Sequence, residues 1–123
     1  MRRILILAAV APLLMAQGLP RPYCGYGEGL AALREVEREA ARPVPGITQG
    51  RARGEAAVTS LGGAVTIFTA CGCPQLAELT REALSVAQSA PSEASITRLA
   101  DVFAQTRFRT QLARQHSERA GCQ

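Results

Sequence analysis

Four cysteines, at 24, 71, 73 and 122, are the residues of this chain best equipped for chemistry. The closest pair stands in Cys71-Gly72-Cys73-Pro74. A C-x-C pair at the start of a helix has its thiolate stabilised by the positive end of the helix dipole, which lowers the thiol pKa. Two active chemistries fit that arrangement. One is a redox dithiol working through a strained disulfide. The other is a soft-metal site for an ion such as Cu(I), with Cys71 and Cys73 as ligands and Cys24 or Cys122 joining them. Against both stands a structural role, because an even cysteine count in an oxidising compartment reads as bridges. A Cys71–Cys73 bond closes a tiny, strained ring. Two frameworks remain: Cys24–Cys71 with Cys73–Cys122, or Cys24–Cys73 with Cys71–Cys122. Each bridge closes a loop of roughly 50 residues, worth about 4 kcal/mol in the chain-entropy model. The even count and the expected oxidising compartment favour two structural bridges and no cofactor.

Other catalytic constellations fail to assemble. His116 is the single histidine, and no acidic cluster accompanies it, so a His–carboxylate metal site is not expected. Glu35 with Arg38 and Glu78 with Arg81, together with Glu82, interleave opposite charges at helical spacing, the pattern of solvated helix faces. The glycines at 25, 27 and 29 follow no strand and precede no lysine, which argues against a phosphate cradle. No serine sits in a nucleophile elbow. The chain is therefore read as a non-enzyme.

Residues 1–16 set the expected compartment. Met1-Arg2-Arg3 is a short basic start, Ile4 to Ala16 is uncharged and apolar, and polar Gln17 with Gly18 and Pro20 follows. That layout predicts a cleavable signal peptide ending at Ala16, the apolar run being short for a membrane span; the alternative is an N-terminal anchor helix. Residues 17–123 are then expected to form one helical domain, periplasmic or secreted. Lysine is absent, so the basic residues are 14 arginines. Twelve of the 14 remain after the leader, against 10 acidic residues, for a net charge of +2. Asparagine is absent too, which suggests a GC-rich bacterial genome. Neither this balance nor the arginines of the last helix, which scatter around its wheel, suit nucleic acid. Membrane contact is expected only through an uncleaved leader.

The elements that must position these residues read as helices. Leu30, Leu33, Val36 and Ala40 recur at three- and four-residue steps and predict a helix over 28–41, ended by Pro43 and Pro45. Residues 43–54 show no apolar period and read as a connector. Val58, Leu61, Val65 and Phe68 step by three and four and predict a second helix, in which Gly62 and Gly63 admit a close neighbour. The alternative is an α+β fold with a β-hairpin over 55–70 around that Gly-Gly pair. Pro74 suits a first helical turn, and Leu76, Leu79, Ala83, Val86 and Ala90 carry the third helix to Pro91. Ser92 is the expected cap of a fourth helix from Glu93 to Ala120, with Ile96, Leu99, Val102, Phe103, Thr106, Thr110 and Ala113 inward.

Four helices with short joints predict an all-α, up-down-up-down bundle. In that topology Cys24, the Cys71/Cys73 pair and Cys122 fall at one end, although the cysteines played no part in placing the helices. The fourth helix also offers an outward pair, Phe108 and Leu112, with Arg109 and His116 nearby. An exposed Phe–Leu pair edged by arginine has the composition of a partner-binding spot. The expected function is binding of another protein, as an inhibitor, immunity protein, adaptor or assembly factor. The alternative is thiol-redox or copper handling at Cys71 and Cys73. No oligomeric state is predicted.

Overall fold

The computed structural model describes Arg21 and residues 23–123. The signal-peptide reading of residues 1–16 lies outside the described residues. Four helices follow in order: α1 (Tyr26–Ala40), α2 (Ile47–Ala70), α3 (Pro74–Ala87) and α4 (Ile96–Ala120). A short 3-10 turn, Ala90–Ser92, precedes α4. α1 packs against α2 and α4, and α3 against the same two helices, while α2 and α4 also touch across the middle. The helices thus stand in a ring in chain order, as an up-down-up-down bundle. The hairpin alternative is overturned, because α2 runs unbroken through Gly62 and Gly63.

α2 corrects the sequence reading in two ways. It begins at Ile47, inside the stretch expected to be a connector. Its buried face there consists of Gly50 and Gly54, continued by Ala57, Leu61, Ala64 and Phe68. Glycine carries no apolar side chain, so an apolar period cannot show this part of the face. A Cβ at Gly54 would lie 2.5 Å from the Ala90 Cβ, and one at Gly50 would lie 2.8 Å from Leu99 Cδ1. The close approach assigned to Gly62 and Gly63 therefore belongs to these two. Around Gly62 and Gly63 nothing lies within 4 Å of an added Cβ. Val58 and Val65 are correspondingly only half-buried, beside fully buried Leu61 and Phe68.

α4 starts later than expected. Ser95, not Ser92, is its cap, its Oγ accepting from the Arg98 N–H at 3.2 Å. Glu93 stays extended. The Ser92 hydroxyl is turned back onto the Ser89 carbonyl at 3.1 Å. Ile96, expected inside, is 46% exposed. The inward stripe holds from Leu99 through Phe103, Thr106 and Thr110 to Ala113, all buried. The Oγ1 atoms of Thr106 and Thr110 have no partner among the described residues. Thr80 solves the same problem by donating to the Leu76 carbonyl at 2.7 Å, one turn back.

The core is in two parts. The larger gathers Leu33, Leu61, Phe68 and Leu76 with Cys71, Cys73 and Cys122. The smaller holds Ala40, Ala90, Leu99 and Phe103 at the opposite end of the bundle.

Candidate functional site

The two cysteines of the C-x-C sequence occupy a helix–helix joint. Cys73 N–H donates to the Phe68 carbonyl at 2.9 Å, and Gly72 N–H donates to the Thr69 carbonyl at 3.1 Å. Gly72 has φ +74°. This is the Schellman ending of a helix, which needs a left-handed residue after its cap and so selects glycine. Pro74 then opens α3 at once, where its missing N–H costs nothing. The joint sends its two sulfurs to different chain segments. Cys71 bonds Cys24, just before α1, and Cys73 bonds Cys122, just after α4. Of the two frameworks allowed by the spacing, the structure adopts this one. Arg21 N–H adds a hydrogen bond to the Cys71 carbonyl at 3.2 Å.

Chemically, this end is closed. Cys71 and Cys73 are 1% and 0% exposed. Among the described residues no cysteine is free, and no group of three His, Cys, Asp or Glu side chains is placed to hold a metal. Cys73 does sit at the N-cap of α3, where a thiolate gains from the helix dipole. Thiol or copper chemistry there requires one of the two bridges to be reduced first. The two disulfides are consistent with an oxidising, non-cytoplasmic compartment. Among the described residues no helix is long and apolar enough to cross a membrane.

The second candidate is the outward face of α4. Phe108 is 56% exposed. Leu112, one turn on, is half-buried, and Arg109 is exposed with Nη1 3.5 Å from Glu82 Oε2 on α3. His116, placed near this pair by the sequence, is half-buried, its Nε2 lying 2.6 Å from the Gln123 carbonyl oxygen. Glu35 with Arg38 and Glu78 with Arg81 form the expected exposed ion pairs.

A further ion pair between helices was not visible in the sequence. Arg114 on α4 reaches Glu37 on α1, with Nε 2.6 Å from Oε2 and Nη2 3.2 Å from Oε1, and its Nη1 also meets Glu118 at 2.7 Å. The hydrogen bonds it donates to Glu37, then to Glu118, raise the guanidinium pKa further above its already high value. Its 77-residue separation from Glu37 leaves no local spacing to read. This clamp steadies the helix that displays Phe108.

A groove of about 380 Å³ lies between α1 and α2, lined by Val36, Ala40, Ala57 and Phe103 with Glu35, Glu39 and Arg53. Its charges are already engaged. Glu35 and Glu39 pair with Arg38 and Arg42. Arg53 Nη1 donates to the carbonyls of Arg42 and Pro43, both at 3.1 Å, and its guanidinium stands 5.8 Å from the Phe103 ring centroid. What remains is a mainly apolar slot in which, among the lining residues, only the Ser60 hydroxyl stands outside those pairs. Comparison of the chain with protein-family models, with curated proteins and with solved structures finds no match.

Proposed function

We propose that this is an exported protein, periplasmic or secreted, that acts by binding another protein through the outward face of α4 centred on Phe108, Arg109 and Leu112. The observation that carries the reading is the 56% exposure of Phe108 on an α-helix whose C-terminal half is tied into the fold. Phe108 with Leu112 one turn on and Arg109 at the edge has the composition of a binding spot, and a rigid display lowers the ordering cost of binding. Cys122 anchors the C-terminal end of α4, and Arg114 clasps it to α1. Export is supported by the leader pattern and by the two bridges. Inhibitor, immunity protein, adaptor and assembly factor are all roles such a display serves, and none needs catalysis.

The test is site-specific photo-crosslinking in the producing cell. A crosslinkable residue at Phe108 or Leu112 is expected to yield a discrete protein adduct. The same residue at Ser85, exposed on α3, is expected to yield none. Phe108→Ala is expected to leave the circular dichroism and thermal midpoint unchanged and to abolish capture of that partner. No adduct at either α4 position, or unfolding of Phe108→Ala, sinks the reading.

A further inference from the structure

We infer that the first partner of this face is a second copy of the chain, paired antiparallel through α4; the inference rests on the reading of the face as protein-binding. Asp101, Gln105, Phe108, Leu112, Gln115 and Arg119 follow one another at steps of four and three. That alternation is the seam spacing of paired helices. At about 100° per residue the six fall within about 80° of the wheel, opposite the buried stripe of Leu99, Phe103 and Thr106. Asp101, Gln105, Phe108 and Arg119 are exposed, and Leu112 and Gln115 are half-buried.

The order of these residues is what selects the partner. Each pair is equidistant from Thr110: Phe108 with Leu112, Gln105 with Gln115, Asp101 with Arg119. A two-fold axis beside Thr110 therefore sets every seam residue of one copy against its complement on the other. Phe108 meets Leu112 of the second copy at the centre. The glutamines meet next, amide to amide. Asp101 meets Arg119 at each end, with opposite charge. A two-fold interface must be self-complementary in this way, whereas a surface shaped for a different protein has no need of it. Parallel pairing sets Asp101 on Asp101 and Arg119 on Arg119, and is repelled. Arg109 flanks the axis, and its ion pair with Glu82 on α3 draws its charge away from the second copy. The seam is about 27 Å long at 1.5 Å per residue. One helix per side buries less than a standard interface, so the dimer is expected to be weak, populated from roughly tens to hundreds of micromolar.

Sedimentation equilibrium on the disulfide-bonded protein, from about 1 μM to about 1 mM, is the test. A concentration-dependent monomer–dimer equilibrium is expected. Phe108→Asp is expected to weaken it by about 100-fold or more. Asp101→Arg and Arg119→Asp are each expected to weaken it about tenfold, and the double variant carrying both is expected to recover dimerisation. Recovery reports the antiparallel register, which no general loss of stability imitates; circular dichroism confirms that each variant is folded. A double variant no better than the singles overturns the pairing. A protein that stays monomeric at about 1 mM, yet gives a Phe108-dependent crosslink to a different protein, overturns the second copy but leaves the binding face. A monomer with no such crosslink overturns both.

Discussion

The two ends of the bundle are held by different physics. At one end, two disulfides tie the α2–α3 joint to the segment before α1 and to the residue after α4. At the other, no covalent bond is available among the described residues, and the connectors are held by α2 itself. Gly54 lets the 3-10 turn at Ala90 come against the α2 backbone, and Gly50 admits Leu99. Arg51 Nε donates to the Glu93 carbonyl at 2.9 Å, while Arg53 Nη1 ties the α1–α2 connector. The covalent end tolerates distance and depends on redox state. The glycine end depends on two missing methyl groups and is indifferent to redox state.

Breaking a bridge has the largest expected effect. The paired change Cys73→Ala with Cys122→Ala opens a loop spanning 49 residues, and Cys24→Ala with Cys71→Ala one spanning 47. Each is expected to cost about 4 kcal/mol in urea unfolding, a large part of the stability of a domain this size. Reduction of the native protein is expected to act like the sum of both. If a bridge-less variant unfolds at the same urea concentration as the parent, the cysteine end is held by packing alone.

The glycine end is tested by adding one carbon. Gly54→Ala places a Cβ 2.5 Å from that of Ala90, and backbone must move to relieve it. The clash of about 1–3 kcal/mol is opposed by about 1 kcal/mol of helix propensity, so net destabilisation is expected. Gly62→Ala and Gly63→Ala meet nothing within 4 Å and are expected to stabilise by up to about 1 kcal/mol each. The opposite sign, in one helix and with one chemical change, is the sharp part of this prediction. Thermal midpoints that move in the same direction for all three variants would remove the close approach as an explanation for the glycine end.

Legibility in the sequence followed the same division. The cysteine end could be read because covalent chemistry names its residues, and because helix periodicity in Leu30, Leu33 and Leu76 put those residues at one end. What the spacing left open, Cys71 to Cys24 rather than to Cys122, depends on where the Gly72 turn sends each sulfur. The glycine end could not be read, since Gly50 and Gly54 are the buried face precisely where no apolar side chain marks it. Arg51 and Arg53 then looked like connector charges when they are hydrogen-bond donors across joints. On α4, the outward place of Phe108 was visible in its phase against Phe103, but the clasp of Arg114 on Glu37 was not, because it joins residues 77 apart.

That clasp joins α4 to α1 and belongs to neither end, and its removal is expected to have an intermediate effect. Arg114→Met keeps the aliphatic stem and leaves Glu37, itself only 18% exposed, without its cation. A loss of about 1–2 kcal/mol is expected. Adding Glu37→Gln to Arg114→Met is expected to recover part of it, as removing the stranded carboxylate lifts its desolvation cost.

The smallest expected effect distinguishes the ends by pH. Tyr26 packs edge-on against Phe68, ring centroids 5.9 Å apart, at the cysteine end. Burial raises its phenol pKa above the usual value, because the fold resists the phenolate. The sign follows directly. The folded state holds this proton more tightly than the unfolded chain, so the contribution is complete below about pH 10 and is lost as pH rises through the raised folded value. The chain suits this measurement unusually well. It has no lysine, its four cysteines are all bonded, and arginine stays charged, so tyrosine is the side-chain type that titrates there. Tyr26→Phe keeps the aromatic contact and removes the hydroxyl. Urea midpoints of the parent are expected to fall as the pH rises above about 10, with a shallower fall in the variant. Parallel curves would mean that the Tyr26 hydroxyl reaches water in the folded state, and that the cysteine end is looser around α1 than its two bridges imply.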